Sequence, residues 1–245
     1  MATCSSSTGK RSIRVPSRPP AARARAYHLF ALVFDHPIAE LFDMIATTAF
    51  RTALGEIEDA LSLRRSDIPR LAGNFQQFES DYISMFELGV QGGPACSLHE
   101  RDHVDAPDCG PEAQNGGDRN SLYHDLLRFY HHFGLRLTDD QAERRLPDHL
   151  CCQLEMLSYL CFLEDQAKEP GTAQSSACAQ RDFLARHPCT WLPRFAVALR
   201  TRPVQTDTGL FFMASASALL RILSAHSSEY AGRPPSSTQP VHASA

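Results

Sequence analysis

From Pro147 onward the chain carries a helical pattern that is apolar on more than one side: Leu150, Leu154, Leu157 and Cys161 form one stripe, and Met156, Leu160 and Leu163 form another. A helix wetted on one face needs only a single apolar stripe, so this one belongs at the centre of a bundle, covered by other helices. Two polar residues break the pattern. Glu155 interrupts the apolar run, and Asp148 with His149 sits at its start behind Pro147.

The covering helices are legible by the same periodicity. A first helix spans about residues 22–34 and stops at Asp35-His36-Pro37, where proline disfavours helical geometry in the residue before it and can itself open the next helix. Ile38, Leu41, Phe42 and Ile45 then recur at helical spacing. From Pro69, the residues Leu71, Phe75, Phe78, Tyr82 and Met85 follow intervals of four and three, which places them on one helix face until Gly89, Gly92, Gly93 and Pro94 end it. Residues 87–119 are rich in Gly, Pro, Asp and Asn without periodicity, so they are expected to form the longest internal loop and a seam between halves. Asn120 or Ser121 can cap a helix with the stripe Leu122, Leu126, Phe129, Tyr130 and Phe133, which Gly134 terminates. Thr138 and Gln141 resemble a capping box for a short helical piece. After Pro170-Gly171 come a helix ending at His187-Pro188, a shorter one with Trp191, Phe195 and Leu199, and a last one from about Thr206 through Ser224.

No sustained two-residue alternation argues for a sheet. The expected fold class is all-α, one helical-bundle domain of about nine to eleven helices over residues 22–228, with two subdomains meeting near 87–120 as the variant arrangement. Residues 1–21 form a basic disordered segment and 229–245 a disordered tail in this reading.

Charge and cysteines narrow the function. A formal net charge of −4 opposes general nucleic-acid affinity, which needs a basic face against the phosphates. Residues 1–34 hold six cations and no acid, yet they lack the apolar core of a secretory signal, and Tyr27–Phe34 is too short to span a bilayer. No other segment is expected to approach membrane-spanning length, so a cytoplasmic protein is expected. The eight cysteines include Cys151, Cys152 and Cys161 within one apolar helix, where thiols serve as core filler in a reducing compartment.

The sharpest enzyme-like signal is His99-Glu100-Arg101-Asp102-His103, which fits the H-E-x-x-H pattern of a zinc-dependent hydrolase. That chemistry needs both histidines on one face of a rigid helix and a third ligand beyond it. Here the flanks Gly92-Gly93-Pro94 and Pro107-Asp108-Cys109-Gly110-Pro111 mark a loop, and position 106 is alanine. A zinc clip of Cys96, His99, His103 and Cys109 has suitable residue types at an unfamiliar spacing. His131 and His132 are adjacent at a helix C-terminus, where their charge is favourable and no shared site is needed. Trp191 is expected to be a packing anchor. The zinc hydrolase and a non-catalytic helical scaffold stand as the alternative functions.

Asp81 beside Tyr82, and Asp148, His149 and Glu155 around the central helix, resist a purely structural explanation more firmly. A carboxylate on an apolar helix is costly unless it is paired or faces a cavity. Together these residues predict a polar-lined groove between helices.

Several ordered anchors resemble the TorD/DmsD/NarJ family of redox-enzyme maturation chaperones over about residues 22–225. They are Tyr27-His28-Leu29-Phe30-Ala31 leading to Phe34 and Pro37, Glu79-Ser80-Asp81-Tyr82 followed by Phe86, Phe129-Tyr130 with Phe133-Gly134-Leu135, Pro147-Asp148-His149-Leu150 with Glu155, and Arg181-Asp182-Phe183-Leu184 with His187 and Trp191-Leu192. Gly92-Gly93-Pro94-Ala95-Cys96 and Phe129–Leu135 look most like the delta-subunit branch, which serves type II enzymes of the dimethyl sulfoxide reductase group. The resemblance implies an all-helical, non-catalytic cytoplasmic chaperone, monomeric or weakly dimeric, that keeps no cofactor of its own. It implies binding to the apo catalytic subunit of a molybdenum enzyme until molybdopterin guanine dinucleotide is inserted, and shielding of a twin-arginine leader. It assigns Asp81, Tyr82, Phe86, Pro147, Asp148, His149, Leu150 and Glu155 to client or leader binding. Met85, where the family usually has leucine, and the polar loop from His99 to Asn120 are departures.

Overall fold

The computed structural model describes residues 19–88, 94–104, 117–137, 145–201 and 206–231. The described residues form nine α-helices, one π-helical turn and one 3-10 turn, with no strand beyond an isolated bridge between His99 and His149.

Helix α1 (Pro19–Val33) opens on prolines, whose fixed φ suits a first helical turn. It continues through Ala, Arg and Leu, and is buried on nearly every side by Ala22, Ala26, Tyr27, Phe30 and Val33. Helices α2 (Ala39–Ala46) and α3 (Ala49–Ala60) follow after a five-residue turn and a two-residue break. Helix α4 (Phe75–Tyr82) is capped by Asn74, whose side chain accepts from the Gln77 amide at 3.0 Å, and runs directly into the π turn Ile83–Glu87. The 3-10 turn is Glu100–Asp102. Helix α5 (Gly117–His132) ends at Gly134 with φ +76°, the left-handed stop expected from its sequence. Then come α6 (Leu150–Gln166), α7 (Pro170–Arg186), α8 (Pro188–Thr201) and α9 (Asp207–Ala231).

The two-sided apolar helix lies at the centre, as its sequence requires. Leu150, Cys151, Leu154, Met156, Leu157, Leu160 and Cys161 of α6 are sealed from solvent. Its most extensive partner is α1, which it meets antiparallel: Ser158 donates to the Ala24 carbonyl at 2.9 Å and Cys151 to the Ala31 carbonyl at 3.3 Å. Small residues on both sides allow this approach. The thiols are free, and burial pushes Cys152 and Cys161 up to about 12, so they pack as neutral filler.

Aromatic rings close the core between α1, α4, α8 and α9. Phe86 meets Phe212 edge-on at 4.9 Å, Phe78 stacks on Phe212 at 5.7 Å, and Phe34 meets Phe195 at 5.8 Å. Each such pair contributes about 0.5–1.5 kcal/mol beyond its burial. A buried arginine ties three helices together: Arg23 of α1 reaches Glu164 of α6 at 3.3 Å and Glu229 of α9 at 2.5 Å.

Four sequence expectations change. Asn120 and Ser121, expected as caps, lie within α5, which begins at Gly117. The stripe beginning at Leu71 is helical only from Phe75. The segment Pro147-Asp148-His149 is a turn preceding α6, with His149 as the cap of that helix. Helix α9 is longer than expected, and Asp207–Tyr230, with mean hydropathy 1.5, is long and apolar enough to cross a membrane. Its apolarity is used internally, because Phe211, Phe212, Ala216, Ala218, Leu219, Ile222 and Leu223 are core residues. The capping box at Thr138 and Gln141 lies outside the described residues.

Candidate functional site

Two irregular segments meet at the head of α6 and bring the chain's polar residues together. The Glu100 amide donates to the Asp148 carbonyl at 3.0 Å, and the Leu150 amide donates to the Leu98 carbonyl at 2.8 Å. This short antiparallel pairing satisfies backbone groups that the turn would otherwise bury unpaired. Tyr130 of α5 adds a third tie by donating to the Pro147 carbonyl at 2.7 Å.

The side chains complete an internal network. Glu100 is 2 % exposed; its Oε2 accepts from Gln153 Nε2 at 2.6 Å and lies 3.3 Å from His187 Nδ1. Gln153 Oε1 in turn accepts from Trp191 Nε1 at 3.0 Å. His187 Nε2 sits 3.4 Å from Asp125 Oδ2, an ion-pair distance without the alignment of a hydrogen bond. Asp148 is fully buried, with Oδ1 3.0 Å from His99 Nδ1 and Oδ2 accepting the Arg101 amide at 3.3 Å. His149 Nδ1 accepts the Cys151 amide at 3.2 Å and so caps α6. Burial, reinforced by neighbouring His99 and Arg145, pulls His149 down to about 3, so the ring is neutral and able to accept.

A second polar group lies on the surface, where α1 ends and α6 begins. Arg145 reaches Asp35, and its Nη1 lies 3.5 Å from Glu155 Oε1. Desolvation raises the Glu155 carboxyl, and Arg145 works against that rise. Beside it, His36 Nδ1 lies 2.7 Å from Glu87 Oε1, and its ring meets Tyr82 edge-on at 5.8 Å.

Comparison with known proteins places the sequence in a family. A family model described as nitrate reductase delta subunit matches residues 45–197, from the end of α2 into α8. The chain belongs to this family. Within its wider circle, the chain is 33% identical to the selenate reductase assembly chaperone protein of Thauera selenatis, over 88% of this chain and 93% of that one. It is 33% identical to the chlorate reductase assembly chaperone protein of Ideonella dechloratans, over 77% and 80% of the two chains. It is 34% identical to the dimethyl sulfide dehydrogenase assembly chaperone protein of Rhodovulum sulfidophilum, over 73% and 71%. No solved structure matches the chain. The sequence resemblance to the TorD/DmsD/NarJ chaperones is thus established at the level of family.

In this delta-subunit family member the expected site residues separate into two sets. Tyr82, Phe86, Pro147, Asp148, His149 and Leu150 are buried, whereas Asp81 is partly exposed and Glu155 exposed. Tyr82 donates to the Phe34 carbonyl at 2.9 Å, and Phe86 and Leu150 are core packing. Asp81 accepts from Gln77 one turn back on its own helix, at 2.8 Å. The expectation of one groove lined jointly by Asp81, Asp148 and Glu155 is therefore corrected: Asp148 is turned inward onto His99 and the Arg101 amide, while Glu155 faces outward onto Arg145.

The zinc readings differ from the geometry too. Glu100 holds Gln153 and lies against His187, His99 lies against Asp148, and His103 Nε2 sits 2.7 Å from the Ser97 carbonyl while its ring stacks on Trp191 at 5.3 Å. His99–His103 spans a 3-10 turn, which cannot present both histidines as an α-helix would. Cys96 is buried against the Phe195 carbonyl, and Cys109 lies outside the described residues. Among the described residues no group of three or more His, Cys, Asp or Glu side chains is placed to hold a metal.

Sequence reasoning passed over Asp35 and Arg145. Their only signals are an acid at the end of α1 and an arginine two residues before Pro147, and neither is periodic.

Proposed function

We propose that this chain is a cytoplasmic, system-specific assembly chaperone for the apo catalytic subunit of a type II enzyme of the dimethyl sulfoxide reductase group. It holds that subunit until molybdopterin guanine dinucleotide is inserted, and shields a twin-arginine leader where the subunit carries one. The observation that carries this reading is the end-to-end relationship to the selenate reductase assembly chaperone, 93% of whose length is covered.

The geometry supports the reading. A chaperone of this kind needs a stable scaffold and an outward face for a polypeptide, with no reacting centre. Among the polar residues that look most catalytic, Glu100 and His187 face each other inside the bundle, and His99 lies against the buried Asp148. Glu155 and Asp81 are the acids of the expected set that reach solvent. In this reading they meet the client, while Tyr82, Phe86, Pro147, Asp148, His149 and Leu150 hold that face in position.

The test is affinity purification of the tagged chain from its native host under conditions that induce the enzyme. Co-purification of a molybdenum-enzyme catalytic subunit lacking its cofactor, identified by mass spectrometry and metal analysis, is expected. Recovery of only fully loaded enzyme, or of no catalytic subunit, contradicts the proposal.

A further inference from the structure

Arg145 occupies a seat made by two carboxylates from different helical elements, Asp35 at the end of α1 and Glu155 on α6. The guanidinium side chain is 19 % exposed, so it is set into the surface and still open to solvent. Along the same turn, His36 lies between Glu87 at 2.7 Å and Glu79 at 3.7 Å. Among the described residues, the carboxylates Asp35, Glu79, Glu87 and Glu155 are thus met by Arg145, by His36 and, beside Glu155, by His28.

Exposed apolar side chains adjoin these acids along the chain. Ile38, two residues beyond His36, is 57 % exposed, Leu88, next to Glu87, is 70 % exposed, and Leu32 is 40 % exposed. The π turn Ile83–Glu87 ends here, and such turns displace side chains from the regular helical path and recur at functional positions. Exposed leucine and isoleucine beside paired acids match a segment that offers arginine next to apolar residues.

We propose that the face formed by Asp35, Glu155, Glu87, Ile38 and Leu88 docks a client segment carrying arginine beside apolar residues, and that Arg145 is a placeholder whose guanidinium the client's arginine displaces. The inference rests on the chaperone reading above and specifies where the client sits. The exchange keeps the charge pairing, because one guanidinium replaces another on the same two carboxylates. The net gain then comes from covering Ile38, Leu88 and Leu32. Segments without arginine must leave Arg145 in place or strand two carboxylates, so the placeholder also selects against them.

The test uses the full chain and a fluorescein-labelled synthetic peptide with two adjacent arginines ahead of a leucine-rich stretch, read by fluorescence anisotropy. Glu155→Gln and Leu88→Ser are each expected to weaken binding, Glu155→Gln by roughly tenfold, the scale of a charge-assisted hydrogen bond. Arg145→Gln is expected to tighten it by a similar factor. A matched peptide with lysine for arginine should bind the unmodified chain more weakly, and Glu155→Gln should erase that preference. Unchanged or weakened binding in a natively folded Arg145→Gln chain, or equal binding of the two peptides, overturns the proposal. Should Arg145→Gln fail to fold, Glu155→Gln and Leu88→Ser decide alone, since both positions are exposed. If these variants bind peptide normally while the chain still captures the apo subunit, the docking face is wrong and the chaperone reading stands. If the unmodified chain captures no subunit, the chaperone reading itself fails.

Discussion

Gln153 donates from Nε2 to Glu100 Oε2 across 2.6 Å, and both side chains are sealed inside the bundle. The contact joins the 3-10 turn to the central helix, and Trp191 locks the other end of the same amide. Removing a member of such a network leaves buried donors unpaired. Glu100→Ala is therefore expected to lower unfolding free energy by about 2–4 kcal/mol, with a smaller loss for Glu100→Gln, measured as the urea midpoint at constant slope. A Glu100→Ala chain as stable as the parent would show that the network contributes nothing.

Asp148 presents a different balance, because one of its partners is backbone. Asp148→Ala strands the Arg101 amide and His99, for an expected cost of about 1–3 kcal/mol. Client capture should fall only as far as the folded fraction falls, and should return when expression temperature is lowered. Loss of capture in a chain whose melting curve is unchanged would instead give Asp148 a direct role with the client.

Acid sensitivity follows from the histidine that caps α6. His149 has a folded-state value of about 3 against about 6.5 in an unfolded chain. Between those values the unfolded state binds a proton that the folded state refuses, so stability falls as pH drops from about 6.5 toward about 3 and is unaffected by this group above that window. His226, buried beside Tyr27 and held well below its ordinary value, acts in the same direction. Each contributes up to about 1.4 kcal/mol per pH unit within its window. Urea midpoints between pH 4.5 and 7.5 should decline toward acid, and His149→Gln should flatten part of the decline; an unaltered slope would contradict the assignment.

Tyr82 carries a smaller, cleaner test. Its hydroxyl donates to the Phe34 carbonyl at the C-terminal end of α1, in surroundings that raise the phenol well above its ordinary value by burial. Tyr82→Phe removes the hydroxyl and keeps the ring, so a loss of about 1 kcal/mol in thermal or urea unfolding is expected, with aromatic packing intact. A gain in stability would mean that the carbonyl finds another partner.

The fold was legible because helical burial writes itself at regular intervals. The stripes of α5 and α6, Gly134 as a stop and the break at His187-Pro188 all appear in the structure where periodicity and backbone chemistry put them. Helix α3 carried the same kind of signal in Phe50, Leu54 and Ile57 and went unread. The arrangement of polar residues was less legible. Asp148 and Glu155 are seven residues apart, which on an unbroken helix is two turns and one face. The helix begins only at Leu150, so the turn rotates Asp148 inward and leaves Glu155 outward. Periodicity cannot report that rotation, nor the tertiary pairing of Asp35 with Arg145, 110 positions apart.

The proposed role is attendance on an apo catalytic subunit before its cofactor is in place. The most direct measurement is the molybdenum content of that subunit, purified from a native host in which the gene for this chain has been deleted. Accumulation of a subunit deficient in molybdenum and activity, restored by supplying the chain, with an unrelated molybdenum enzyme of the same cell fully loaded, is the predicted result. Normal molybdenum loading and activity in the deletion strain would contradict it.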